Sequence, residues 1–427
     1  MKSIAVIGSG IAGLSAAWLL RKDYRVTLYE AEARLGGHSH SVDVSLEGVT
    51  APVDTGFLVC NDRTYPNLRN LFKTLDIGLC ASEMSFSVQV AAARLEWSGT
   101  SLATVFGDKR NMLRPEFWRM TRDVLRFNRE APALMMMPML SGVSVGELLT
   151  RYHYSDAFRD WYLLPMAAAI WSCPTQQMLA FPAQSLLRFF DQHGLLQLDD
   201  RTQWLTVRGG ARRYVERMAS EIGETGEVLT NQPVTYVLRD EDRVQVLTAT
   251  GRRRFDGVVL ACHSDQALAM LGDANSAEQA ILGAVQYQAN HAVLHTDSYI
   301  LPRRRALWSA WNFHAGKSTP DNQPVSVTYL INKLQPLPFD TPVMVTLNPD
   351  RPIRADQILG EFDYSHPVFD SAAMAAQALL PTLQGRRHTW FCGAWTGYGF
   401  HEDGLKSAMS VAQGLGVTAP WLMKETV

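Results

Sequence analysis

Ser3-Ile4-Ala5-Val6-Ile7-Gly8-Ser9-Gly10-Ile11-Ala12-Gly13 opens the chain with an apolar run that ends in three spaced glycines. The run from Ser3 to Ile7 has the continuous apolar character of a buried strand. Residues 10–21 carry Leu14, Ala17, Trp18 and Leu20 at helical spacing, and residues 25–29 read as a second strand leading into Glu30. The order is strand, glycine turn, helix, strand, acid, which is the plan of a dinucleotide-binding unit. Gly8 permits the tight turn, Gly10 lets backbone approach a pyrophosphate, and Gly13 lets helix and strand pack closely. The diphosphate is expected on the helix N-terminus, where Ile11 and Ala12 form the first turn and the dipole favours an anion. Glu30, with Ala31 beside it, is placed to accept from a ribose hydroxyl, and an acid there disfavours the extra phosphate of NADP.

The 427 residues are too many for one compact core and suit two domains. A hydrophobic share of 47% and a net charge of −2 describe an ordinary globular chain and argue against a nucleic-acid groove. Cys60, Cys80, Cys173, Cys262 and Cys392 are scattered and odd in number, as expected of reduced thiols in a cytoplasmic protein. No His, Cys or acid cluster has ligand spacing, so no metal is expected, His38 with His40 being the nearest approach. Lys2 and the apolar run after it mimic a signal peptide, but Gly8, Gly10 and Gly13 interrupt the run and it feeds the dinucleotide unit. No stretch reaches the ~18 apolar residues of a membrane span. The richest candidate, 133–140, is short and broken by Pro138.

Farther on, Gly36 and Gly37 begin a polar loop and 41–46 alternates like an edge strand. From about 64 to 201 the pattern becomes helical and rich in Met, Trp, Phe and Leu. Residues 115–130 interleave Phe117, Trp118, Val124, Leu125 and Phe127 with arginines, a basic amphipathic helix suited to covering a core or touching a membrane surface. Met135, Met136, Met137, Met166, Trp171, Phe189 and Phe190 read as core or as the walls of an apolar tunnel. Gly209 and Gly210 open a further helix, 233–237 and 244–247 alternate as strands, and 255–261 is fully apolar. A strand-like excursion follows, and 388–416 reads as strand, glycine turn and helix.

These motifs together resemble the superfamily of FAD-dependent amine oxidases and phytoene-desaturase-like enzymes. The resemblance rests on Gly8 to Gly13 with Glu30, on Glu32-Ala33-Arg34-Leu35-Gly36-Gly37-His38, on the Gly209-Gly210 helix start, on the strand around Val234, and on 393–408. It implies an α/β fold, α+β overall. A Rossmann-like FAD domain would be assembled from 1–63, 202–265 and 381–427, with a substrate domain of antiparallel sheet and helices from 64–201 and 266–380. It further implies noncovalent FAD, with Arg34, Gly36, Gly37 and His38 along the diphosphate and Val234 at the adenine. Gly393, Asp403, Gly404 and Leu405 would approach the flavin end, the last helix starting around 403–405. Within the superfamily the chain looks most like a bacterial branch of NAD/FAD-binding oxidoreductases, through His193-Gly194-Leu195-Leu196, Val293-Leu294-His295-Thr296-Asp297 and Gly399-Phe400-His401-Glu402-Asp403-Gly404. Relatives of that branch are associated with modification of fatty acyl chains, including a desaturation.

The chain also departs from the amine oxidase pattern. Asn290 or His291 falls where a lysine usually stands, His38 replaces an arginine, Ala394-Trp395 replaces an acid, and Gly404 takes an aromatic position. The expected activity is therefore an FAD-dependent desaturase or oxidase acting on a hydrophobic, lipid-like substrate. The alternatives are a flavin amine oxidase and a non-catalytic binding protein on the same scaffold. His401 and Glu402 are the candidate proton-handling residues, against a plain role in capping and structural hydrogen bonds. Asn290, His291 and Tyr398 are the candidate substrate contacts.

Overall fold

The computed structural model describes residues 1–140, 142–197, 202–316 and 325–423. At its centre is a five-stranded parallel sheet, in the order Glu227–Leu229, Arg25–Tyr29, Ser3–Ile7, Gly257–Leu260, Thr389–Phe391. Its strands come from the first, middle and last parts of the chain. Alternation divides the two faces. Ile4 and Val6 join one core cluster with the helices Ile11–Leu20, Arg212–Gly223 and His401–Gly414. Ala5 and Ile7 join another, beneath a three-stranded antiparallel sheet of Val234–Arg239, Val244–Thr248 and Gly251–Phe255. All ten residues of Ile11–Leu20 are buried, because this helix is enclosed between the sheet and the C-terminal helix.

A second sheet has seven strands, in the order Ile358–Val368, Gln286–His295, Met344–Leu347, Ser326–Leu330, Trp311–Ala315, Phe86–Val90, Leu95–Ser98. Its pairings are antiparallel except for the parallel contact between Trp311–Ala315 and Phe86–Val90, which joins the two excursions of the chain into one sheet. The helices Pro115–Met135, Val145–Arg151 and Ala183–Gln192 pack with this sheet in the largest core cluster. The mixed architecture agrees with the α/β expectation.

Two boundaries move. The helix Pro66–Thr74, expected in the substrate segment 64–201, buries Leu68, Leu71 and Phe72 among the helices of the parallel sheet. The helix Ser371–Leu379, expected within 266–380, buries Ala373 and Ala376 against that sheet's other face. Both amphipathic helices follow their apolar faces rather than the sequence break.

Candidate active site

A cavity of about 1450 Å³ runs from the carboxyl ends of the parallel strands to the helices beside the seven-stranded sheet. This exceeds the roughly 300–1,000 Å³ typical of a pocket for one drug-sized ligand, so there is room for a dinucleotide and a second molecule.

At the nucleotide end, Gly8, Gly10, Ile11 and Ala12 lie on the wall. A Cβ built on Gly10 meets nothing within 4 Å, so backbone there faces open space. Gly13 sits behind the wall: a Cβ on it would fall 1.8 Å from the Gly8 carbonyl oxygen, which fixes the close packing of helix and turn. Ser9 locks three loops together. Its N–H donates to Glu30 Oε2 at 2.9 Å, and its carbonyl and hydroxyl oxygens each accept from the Gly36 N–H at 3.1 Å. The Ser9 hydroxyl donates to the same Oε2, and Glu30 Oε1 accepts from the Glu32 N–H at 2.9 Å, three donors in all. An ionised carboxylate has about four acceptor sites, so capacity for a ribose hydroxyl remains. Ala31, Arg34, Gly36, Gly37 and Val234 are also on the wall, and Arg34 Nη1 donates to the Gly37 carbonyl at 2.7 Å.

Midway along the cavity four imidazoles gather. His38 and His366 have ring centres 5.2 Å apart, His38 and His263 6.4 Å apart, and His263 stacks on Tyr287 at 4.3 Å. His401 stacks on Phe57 at 3.8 Å, with Nε2 2.9 Å from Ser39 Oγ and 3.3 Å from Tyr214 Oη. Burial lowers each of these histidines below the ordinary imidazole value of 6.5, His366 to about 4 and His401 to about 3. All four are therefore neutral at pH 7. The buried Nε2 of His38 has no hydrogen-bond partner among the described residues, an uncommon state for a buried polar atom and one that a ligand relieves.

The C-terminal segment contributes Gly393, Ala394, Trp395, Gly399, Phe400 and His401 to the wall. The last helix starts at His401 rather than at 403–405, because Asp403 Oδ2 folds back to accept from the Tyr398 and Phe400 N–H groups, both at 3.1 Å. Asp403, Gly404 and Leu405 consequently stand off the wall. Burial pushes the Asp403 carboxyl up to about 6, a Cβ on Gly404 would lie 2.8 Å from Ile11 Cγ2, and Leu405 is core. Glu402 is likewise turned away. Its Oε1 accepts from the Asn67 backbone at 3.1 Å and side chain at 2.7 Å, and its Oε2 from the Leu68 N–H at 2.9 Å, so it caps the helix Pro66–Thr74.

The three expected substrate contacts are also off the wall. Asn290 is buried behind it, donating to the Gln288 carbonyl at 3.0 Å and accepting from Asn348 at 2.7 Å, with His366 Nδ1 2.9 Å from its amide nitrogen. His291 projects outward to Asp363 at 3.0 Å. Tyr398 is half-buried, edge-on to Phe189. Tyr287 and His366, which no sequence reading singled out, occupy the wall instead. His263 had a usable signal: it follows the carboxyl end of a parallel strand, where ligands bind in open α/β sheets.

Beyond the histidines the cavity becomes an apolar chamber. Phe86, Trp97, Tyr162, Met166, Phe189 and Tyr329 form its walls, and Trp118, Val124 and Leu125 its far end. Met166 and Phe189 are thus the two tunnel candidates that reach the cavity, while Met135, Met136, Met137, Trp171 and Phe190 do not. Among the described residues the charged side chains on the cavity wall, histidines aside, are Glu30, Glu32 and Arg34 at the nucleotide end and Asp363, whose side chain is 90% exposed. No group of His, Cys, Asp or Glu among the described residues can hold a metal ion.

Comparison with known proteins agrees with this geometry. The sequence profile of the flavin containing amine oxidoreductase family matches residues 11–330. Over 170 residues the chain is 30% identical to the carotenoid phi-ring synthase of Chlorobaculum tepidum, a match spanning 38% of this chain and 23% of that protein. The structure is similar to a CLA-producing fatty acid isomerase from P. acnes, with TM-score 0.70 and 15% identity over 97% of this chain and 99% of the other. It is comparably similar to cyclohexylamine oxidase from Brevibacterium oxydans, with TM-score 0.69 and 16% identity over 97% and 99%. At these identities the structural likeness is one of fold. The open backbone at Gly10, the orphan His38 Nε2 and the volume of the cavity all fit FAD. The chain belongs to the flavin-containing amine oxidoreductase family and is an FAD-dependent oxidoreductase.

Proposed function

We propose that this enzyme removes a hydride from a hydrophobic, lipid-like substrate, as a desaturase or oxidase does. The carrying observation is the apolar chamber, continuous with the nucleotide end and without a charged side chain between Phe86 and Leu125 on its wall. FAD, when bound, supplies the two-electron acceptor. Gly8, Gly10, Ile11, Ala12, Arg34, Gly36 and Gly37 would then surround its diphosphate, Glu30 and Ala31 its ribose, Val234 its adenine, and Gly393 its flavin end. His38 would offer a neutral imidazole nitrogen to the same ligand and hold it noncovalently. His401 is the proton-handling candidate, held in orientation by Ser39, Tyr214 and Phe57. The aromatic walls exclude water and align a chain of carbon atoms.

Support for the substrate class comes from the fatty acid isomerase and the carotenoid phi-ring synthase among the similar proteins. Cyclohexylamine oxidase supports the second reading, an amine substrate. Against it, no described residue places an enclosed carboxylate in the chamber to receive an ammonium group. Anaerobic titration of the purified flavoprotein separates the two. We expect the visible flavin band to bleach with unsaturated fatty acyl lipids and not with simple amines. Bleaching by amines alone would reverse the assignment.

A further inference from the structure

The far end of the cavity carries an apolar rim open to solvent. Leu102, Trp118 and Leu125 line the cavity and are also 80%, 51% and 57% exposed, so they mark where its wall meets water. The Trp118 ring lies 5.1 Å from Phe106, and its indole N–H donates to the Met112 carbonyl at 2.9 Å, which ties the turn bearing Met112 and Leu113 to this rim. Leu113 is 86% exposed. Along the helix Pro115–Met135, positions 118, 122, 125 and 129 fall on one stripe, so that Trp118, Arg122, Leu125 and Arg129 alternate apolar and basic. Exposed Met136 continues the stripe five turns beyond Trp118.

The charge around this stripe is one-sided. Residues 102–136 hold seven basic and four acidic side chains. Two of the acids, Asp108 and Asp123, are buried; Asp108 pairs with Arg110 and Arg304, and Asp123 with Arg126. Lys109, Arg119, Arg122 and Arg129 are exposed; Arg119 lies 3.9 Å from Glu116 and Arg129 3.8 Å from Glu130, loose surface pairs that leave the three-charge excess of the segment in place. A positive face therefore stands out on a chain whose net charge is −2.

We infer that this face docks on an anionic phospholipid bilayer. Leu102, Leu113, Trp118, Leu125 and Met136 enter the boundary between headgroups and acyl chains, while Arg119, Arg122 and Arg129 meet the phosphates. Apolar side chains interleaved with arginines on an interfacial helix combine area burial with attraction to anionic lipids, and indole rings favour the headgroup level. No helix among the described residues is long and apolar enough to cross a membrane, so the contact is peripheral. Docked this way, the cavity mouth opens into the bilayer, and a lipid-like molecule enters without crossing water. That last consequence rests on the proposed substrate class, whereas the docking is read from exposure and charge alone.

The test is co-sedimentation of the purified holoprotein with phosphatidylglycerol-containing vesicles and, separately, with pure phosphatidylcholine vesicles, at low and high salt. We expect preferential binding to the anionic vesicles at low salt. The triple variant Arg119→Glu, Arg122→Glu, Arg129→Glu should lose about tenfold or more in partitioning. The double variant Leu113→Ser, Met136→Ser should weaken binding at both salt concentrations. None of these side chains lines the cavity, so flavin content serves as the folding control. Failure to sediment with either vesicle, equal binding by the charge-reversed variant, or a stable dimer dissociated by Leu113→Ser would each overturn the docking. Because no turnover is read, vesicle binding by a protein that bleaches only with amines would remove the lipid substrate and leave the docking standing.

Discussion

Glu402 places both of its carboxylate oxygens on the first turn of the helix Pro66–Thr74, whose own N-cap, Tyr65, makes no side-chain cap. Replacing it by alanine strands the buried Leu68 N–H, a loss of roughly 1–3 kcal/mol. We expect Glu402→Ala to lower the denaturant midpoint accordingly while leaving the rate of flavin bleaching in the folded protein unchanged. A rate loss with intact stability would instead mark Glu402 as a proton carrier. The residue shows why capping partners are hard to read in a sequence: Asn67 and Glu402 are 335 positions apart, and nothing local to either announces the other.

Among elements, the glycine turn and the helix Ile11–Leu20 give two glycines opposite sensitivities. A Cβ at Gly13 would collide with backbone at Gly8, which has no rotamer to yield, so Gly13→Ala must push the helix off the sheet. A Cβ at Gly10 meets no protein atom and intrudes only where a diphosphate would lie. Gly13→Ala should therefore lower both the melting temperature and the flavin content, whereas Gly10→Ala should lose flavin with the apoprotein's melting temperature nearly unchanged. Thermal melts and flavin-to-protein ratios distinguish these outcomes. This unit was legible because its signals, apolar period and glycine spacing, are contiguous in sequence. The chamber was not, since its walls come from strands and helices between Phe86 and Phe362 that meet only after the two sheets form. The same limit displaced the substrate contacts. Tyr287 faces the cavity, while Asn290 and His291, a few residues along the same strand, face the core and solvent.

For the whole molecule, seven histidines, His38, His40, His193, His263, His295, His366 and His401, are lowered below 6.5, in each case chiefly by burial. In the unfolded chain they gain protons as pH falls through about 6.5, while the folded chain holds them neutral to lower pH. Their contribution is thus present above 6.5 and lost progressively on acidification, at a limiting slope of about 1.4 kcal/mol per pH unit for each histidine charged only when unfolded. Asp54 and Asp403, raised to about 6 by burial, act in the opposite sense, since the folded state favours their protonated forms. Seven groups outweigh two, so the melting temperature should fall between pH 6.5 and 4. Scanning calorimetry across that range checks it, and a flat or rising profile would contradict the neutral histidine cluster.

The contact between Ile11 and Gly404 also bears on how the protein is made. A ribosome delivers the strand Ser3–Ile7 and the wholly buried helix after it long before their covering helix, His401–Gly414. Until then the nascent chain carries an uncovered greasy helix and an open cofactor cleft, a state suited to chaperone binding and unsuited to holding FAD. Flavin capture therefore becomes an event that must await synthesis of the helix His401–Gly414, and a ribosome-stalled chain ending before residue 389 would emerge without its yellow colour.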